Sequence, residues 1–204
     1  MPRVLQNSNS FGPARRGFSL LELMIVLAVM TVVAAIAAPN MLESMREGEV
    51  YKAAELVRRT LAESRKFAID SGLDYQFRYE VNGQAFVVIP SEVEPTTANT
   101  ITSDSTTGQY YRLSGQLDEG FTLHAAGEDA VDTIEQLESA WFGDLPDAAT
   151  LASKSWSAPI YFQFDGTAVD ARLKVVDEER RTAELTVRGL TGAVRLDPVY
   201  TEAE

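Results

Sequence analysis

Residues 15–30 read RRGFSLLELMIVLAVM, and this stretch decides the fold because the longest apolar run in the chain begins here and carries a carboxylate near its start. From residue 18 to residue 38 the only polar side chains are Ser19, Glu22 and Thr31. As a helix rising about 1.5 Å per residue, this segment would be roughly 31 Å long, the thickness of one bilayer core. Arg15 and Arg16 precede it and an acidic stretch, PNMLESMREGE, follows it. That bias of positive charge predicts a single span with the N-terminus in the cytoplasm and the rest of the chain across the membrane.

Two simpler readings compete. A cleaved secretory signal also has a basic start and an apolar middle, but its apolar region is about 7 to 15 residues long; the AAIAAP stretch at 34–39 keeps cleavage there open. A plain signal anchor is the other. Neither accounts for Glu22, since an ionised side chain at the bilayer centre costs about 2.5 to 3.5 kcal/mol even on the gentler scales. Cleavage between Gly17 and Phe18 would supply a partner. The new α-amino group would be mostly cationic at neutral pH, and Glu22 would sit one helical turn away from it or from that of a neighbouring copy. Gly17 suits a scissile position because it lacks a Cβ and lets a protease approach the backbone.

These residues carry a family resemblance. RRG followed by FSLLELMIVLAVM resembles the type III signal of type IV prepilins and type II secretion pseudopilins. The resemblance implies cleavage by a membrane prepilin peptidase after Gly17, N-methylation of Phe18, and a docking function for Glu22 as the fifth mature residue. Pro39 falls at mature position 22, where many relatives also have proline. The implied partners are the prepilin peptidase, sibling pseudopilins or pilins, the inner-membrane assembly platform and the membrane itself, with no cofactor and no metal.

Beyond the run, Pro39 should kink or loosen the helix without necessarily ending it. Met41, Met45, Val50, Ala54, Val57, Leu61, Ser64 and Ala68 continue at helical spacing with charged residues between them, and Gly72 is placed to stop the helix. The period then changes to two. Tyr75, Phe77, Tyr79 and Val81 alternate with polar residues, Asn82-Gly83 supplies a turn and QAFVVIP returns, a hairpin whose aromatics would pack on the helix around Val57 and Leu61. Residues 91–109 read as a long Ser/Thr-rich loop, and strands are expected at 110–114 and 120–124. Residues 128–149 suggest a short helix or an irregular lobe. The last third reads as an antiparallel meander: PIYFQF, a turn at Asp165-Gly166, AVDARLKVV, a turn at 177–180, RTAELTVRGL and GAVRLD.

The expected fold is α+β, a long N-terminal helix, first transmembrane and then amphipathic, packed on antiparallel sheet. Its parts are a leader (1–17), an apolar assembly helix (18–38), an amphipathic continuation (39–71) and a periplasmic β domain (72–204). Ile160, Phe162, Asp165, Gly166, Gly192 and Val194 also resemble the pattern of the GspH/FimT group of pseudopilins and minor pilins. That likeness implies a structural subunit of a type II secretion pseudopilus; a minor pilin of a type IV pilus or DNA-uptake machine is the alternative, and a membrane-anchored enzyme or binding domain a third.

Composition bounds the chemistry. The 204 residues contain no cysteine and carry a formal charge of −12, and because the first seventeen include three arginines and no acid, −15 falls on the remainder. Such a body disfavours nucleic acid, whose phosphates need clustered Lys and Arg. His124 is the only histidine and reads as structural, without the neighbours of a zinc site or a triad. The acids at 128, 129, 132, 135 and 138 lack the spacing of a calcium loop and read as a solvated face. Trp141 and Phe142 read as core anchors.

Overall fold

The computed structural model describes residues 19–92, 110–127, 130–143 and 145–202, with the backbone alone at 37–42. Two compact units are present, Met1–Ser44 and Met45–Glu204, and one helix, α1 (Leu20–Ser71), contributes to both.

In the first unit α1 opens with Leu23 N–H donating to the Ser19 carbonyl at 3.2 Å. The helix continues through Pro39, so the proline does not end it. Side chains from 20 to 36 are exposed all round the helix. Among the described residues no helix is long and apolar enough to cross a membrane. The described apolar side chains end at Ile36, giving roughly 24 Å against a hydrocarbon core of about 30 Å; the side chains of Ala37 and Ala38, which complete the run in sequence, lie outside the described set.

In the second unit α1 becomes one-sided. Val50, Ala54, Val57, Leu61, Ser64 and Ala68 are fully buried, steps of three and four that line one face. Met45, expected on that face, is exposed, so among the described side chains the buried stripe starts at Val50; the side chain of Met41, also expected there, lies outside them. Thr60 and Ser64 enter the core with their hydroxyls donating to the carbonyls four residues back, at 3.0 and 2.9 Å, which removes the cost of burying them. Gly72 closes the helix at φ +71°, its N–H donating to the Ala68 carbonyl, a conformation glycine adopts without penalty.

Two antiparallel sheets complete this unit. The first has the order β3 (Leu113–Gln116), β2 (Ala85–Pro90), β1 (Tyr75–Tyr79), β5 (Ile160–Phe162). The second has the order β4 (Phe121–Ala125), β6 (Ala171–Asp177), β7 (Arg181–Arg188), β8 (Ala193–Leu196), with β9 (Tyr200–Thr201) also paired to β7. The α+β expectation is met, and the hairpin aromatics share one core with the buried face of α1 and with Leu123, Leu173, Val175, Leu185 and Val187.

Several details differ from the sequence reading. The strand expected at 110–114 lies at Leu113–Gln116, and the one at 120–124 at Phe121–Ala125. The last third is not a single meander: β5 leaves the second sheet and pairs with β1, Phe77 opposite Ile160. Most of the loop at 91–109 lies outside the described residues. The region after 128 contains a 3₁₀ turn (Ser139–Phe142) and a short helix α2 (Ala148–Ala152). These cover the far side of the first sheet, where Ala85, Val87, Ile89, Leu137, Phe142, Leu151 and Trp156 form a second core. Because both faces are covered, all of β1 is buried, including Gln76 and Arg78, which alternation alone would place in water.

The GspH/FimT-like pattern has a steric cause. Asp165 caps the turn after β5, accepting from the Thr167 N–H and hydroxyl at 2.9 and 2.7 Å; these bonds hold its carboxyl below the usual carboxylate range. Arg65 of α1 donates Nε–H to the Gly166 carbonyl at 2.9 Å. Gly192, at φ +59°, passes so close that a Cβ there would lie 2.5 Å from that same carbonyl and 2.7 Å from Arg65 Cδ. We predict that Gly192→Ala destabilises the fold by about 2–4 kcal/mol, whereas Gly48→Ala, in helix with open space around it, stabilises it by about 0.5–1 kcal/mol. Urea unfolding of the two variants checks both signs.

Candidate functional site

The residues singled out at the N-terminus fall in two groups. Gly17 and Phe18 lie outside the described residues. Glu22 lies in the first turn of α1 and is exposed, where the unpaired N–H groups of the helix start favour a negative charge. It makes no ion pair among the described residues. Around and beyond it Leu20, Leu21, Leu23, Met24, Ile25 and Leu27 are each more than half exposed. The one further polar side chain between Leu23 and Ile36, Thr31, donates to the Leu27 carbonyl at 2.7 Å, so its hydroxyl needs nothing from outside. The helix thus offers apolar surface on every side and one free carboxylate, a surface for lipid or for other apolar helices.

Of the acids read as a solvated face, Asp132 and Glu135 bond inward, Glu138 is exposed as expected, and Glu128 and Asp129 lie outside the described residues. Asp132 accepts from the Tyr79 hydroxyl at 2.6 Å and from the Ala125 N–H at 2.9 Å with the same oxygen. Burial and this carboxylate push the Tyr79 phenol well above its ordinary value. Glu135 meets Arg78 Nη1 at 2.6 Å, and Arg78 also donates to the Gln76 side chain and the Ser157 carbonyl. A guanidinium with its side chain only 6% exposed thereby has three acceptors, one of them a carboxylate, which offsets the cost of burying its charge. Neither acid is free for a cation, and no group of metal-ligating side chains occurs among the described residues.

His124 stands between Thr122 Oγ1, 3.0 Å from Nε2, and Asp132 Oδ2, 3.5 Å from Nδ1. The order hydroxyl, imidazole, carboxylate is that of a nucleophile with its base. The geometry serves a different purpose: the imidazole–carboxylate separation exceeds hydrogen-bond length, and Asp132 is already committed to bracing β4 against β1. Phe142 and Trp156 pack with ring centroids 5.8 Å apart and planes tilted by 42° in the second core; Trp141 packs at its edge, half-buried. The sequence reading missed Trp156, whose indole N–H donates to the Leu151 carbonyl at 2.9 Å, and Arg65 and Arg78. For Arg65 and Arg78 the only signal was a cation in a segment read by periodicity, and Trp156 lies just before the last strands in a stretch where no pattern was read.

Asp132→Ala leaves two donors without an acceptor and should cost about 2–4 kcal/mol, against about 1 kcal/mol for Tyr79→Phe. Because the folded state raises the Tyr79 pKa, its contribution is complete below the ordinary tyrosine value of about 10 and declines as pH rises beyond it. Denaturant unfolding should therefore show wild type losing its margin over Tyr79→Phe only in strong alkali.

Residues 13–38 match the sequence model of the family described as the prokaryotic N-terminal methylation motif. No curated protein matches the chain. Two solved structures of the minor pseudopilin EpsH from the type II secretion system of Vibrio cholerae are similar to it. One is 17% identical with a TM-score of 0.42, covering 74% of this chain and 97% of that one; the other is 19% identical with a TM-score of 0.44, covering 78% and 97%.

Proposed function

We propose that this chain is a structural subunit of a membrane-anchored filament, most specifically a type II secretion pseudopilus, and has no catalytic activity of its own. The observation that carries this reading is a helix apolar on all sides from Leu20 to Ile36, broken only by Glu22 and Thr31, directly within a methylation motif spanning residues 13–38. Such a rod is stable only in lipid or among like helices. The subunit inserts with its N-terminus in the cytoplasm and its folded unit in the periplasm. Prepilin peptidase cleaves after Gly17 and Phe18 is methylated. The ammonium group so formed meets Glu22 of its own or a neighbouring helix, so that assembly at the inner-membrane platform waits for processing. In that apolar setting an uncompensated carboxylate costs several kcal/mol, and the pairing offsets it. Pro39 would let the helix bend between its lipid-embedded and sheet-packed parts.

Intact-mass measurement of membrane-extracted protein should show loss of residues 1–17 together with gain of one methyl group. Gly17→Trp should accumulate the full-length form, and normal trimming of that variant would remove the cleavage assignment. Glu22→Leu should insert and be trimmed normally yet drop about tenfold in copurification with sibling subunits, the consequence of losing roughly 1.4 kcal/mol of pairing; unchanged copurification would remove the docking assignment.

A further inference from the structure

The second sheet has two electrically opposite ends. On its outward face Arg172 of β6, Thr186 of β7 and Arg195 of β8 lie in one cross-strand row, and Arg188 stands two residues along on the same face of β7. Arg172, Thr186 and Arg188 line a concave surface of about 480 Å³ together with Ala126 and Asp170. Asp170 is committed to the Gly189 N–H at 2.8 Å, and Arg195 to Asp197 at 2.9 Å. Arg172 and Arg188 are exposed and have no hydrogen-bond or ion-pair partner among the described residues. Neighbouring like charges on a sheet face repel, an arrangement relieved by an incoming anion.

The other end, roughly 17 Å along β6, is acidic. Glu49, Glu119, Glu178 and Glu179 line a second concave surface of about 250 Å³. Arg181 there is engaged by Asp177 and Glu179, each at 2.8 Å, and Arg46 meets Glu179. Glu49, Glu119 and Glu178 have no cation partner among the described residues. The occupant that matches the arginines is therefore carried by the chain itself: a set of unpaired carboxylates on a surface of the same kind and at the opposite end of the same sheet. A polyphosphate would meet the same arginines, but it would also meet a chain of net charge −12, which repels it.

We propose that the Arg172–Arg188 end of the second sheet docks the Glu49–Glu119–Glu178 end of a second copy of this chain, head to tail. A contact between two different surfaces repeats without closing unless its rotation closes a ring, and so extends a filament. The proposal rests on the reading of the chain as a filament subunit, and adds a contact between folded units to the one between helices.

The test exploits the absence of cysteine from the sequence. Full-length chains carrying Thr186→Cys and Glu178→Cys are co-expressed in membranes and treated with a short thiol cross-linker. The mixed pair should cross-link, each variant alone far less, and the yield should fall with added salt. Arg172→Glu with Arg188→Glu on the Thr186→Cys chain should lower the yield about tenfold, and Glu49→Lys with Glu119→Lys on the other chain should restore it. If the arginine reversal impairs folding by circular dichroism, the lysine pair alone is predicted to lower the yield equally. Yields indifferent to both reversals, Thr186→Cys linking equally to itself, or linkage only to a different protein would overturn the proposal. Mass analysis of the same samples separates the two readings: a mixed cross-link on chains that retain residues 1–17 sinks the processing account and leaves the docking, while trimmed, co-assembled chains without the cross-link sink the docking alone.

Discussion

A helix that is apolar on every side cannot be satisfied by a sheet, which covers one face, and this constraint organises the whole chain. Along α1 the same element changes from apolar all round, residues 20–36, to a single stripe at Val50, Ala54, Val57, Leu61 and Ala68. The stripe finds its cover inside the chain, in β1 and β2 on one side and β6 and β7 on the other. The all-round segment finds none there, so its cover must come from outside, and the free carboxylate of Glu22 restricts what that cover can be. Lipid alone leaves the charge uncompensated; an apolar helix bundle with an amine near its start does not.

How much of this was legible in the sequence follows from which physical signals are local. The α1 stripe, the Gly72 stop, the hairpin around Asn82-Gly83 and strands β6 to β8 all rest on periodicity or turn chemistry within a dozen residues, and they stand where expected. The second core was illegible because it is built from remote pieces: Trp156 packs under Val87 and Ile89 through neighbours such as Phe142 and Leu151, and no local pattern announces that a lobe will fold back over a strand. The burial of Arg78 is the same failure seen from the other side. Alternation in β1 is genuine, but alternation decides which face a residue takes, not whether that face is wet. The crossing of β5 to the first sheet was likewise hidden, since IYF followed by an Asp-Gly turn fits a meander equally well. At the candidate site the sequence supplied the residues and the motif, while Gly17 and Phe18 lie outside the described residues and Glu22 is placed without its partner.

The Gly166–Gly192 approach shows how a weak sequence pattern acquires a cause. Two glycines separated by twenty-five residues matter together because the carbonyl of one accepts the Arg65 Nε–H and the other must pass close to that carbonyl without a Cβ. Spacing within either turn would not reveal this, since the coupling runs through a third residue on α1. The pattern is therefore a signature of helix-on-sheet packing and says nothing by itself about chemistry.

Charge follows a similar logic. Most cations of the folded unit are consumed internally: Arg78 by Glu135, Arg181 by Asp177 and Glu179, Lys154 by Glu80, Lys174 by Glu202. Their desolvation is matched by carboxylates already in place, so these pairs hold the fold together without attracting anything to it. Arg172 and Arg188 stand outside these pairs, side by side on one open concavity. A chain with so few cations to spare gains nothing for its fold from keeping two of them side by side in water, where their mutual repulsion is only screened. In the proposed head-to-tail contact they are one half, and the unpaired carboxylates at the other end of the same sheet are the other.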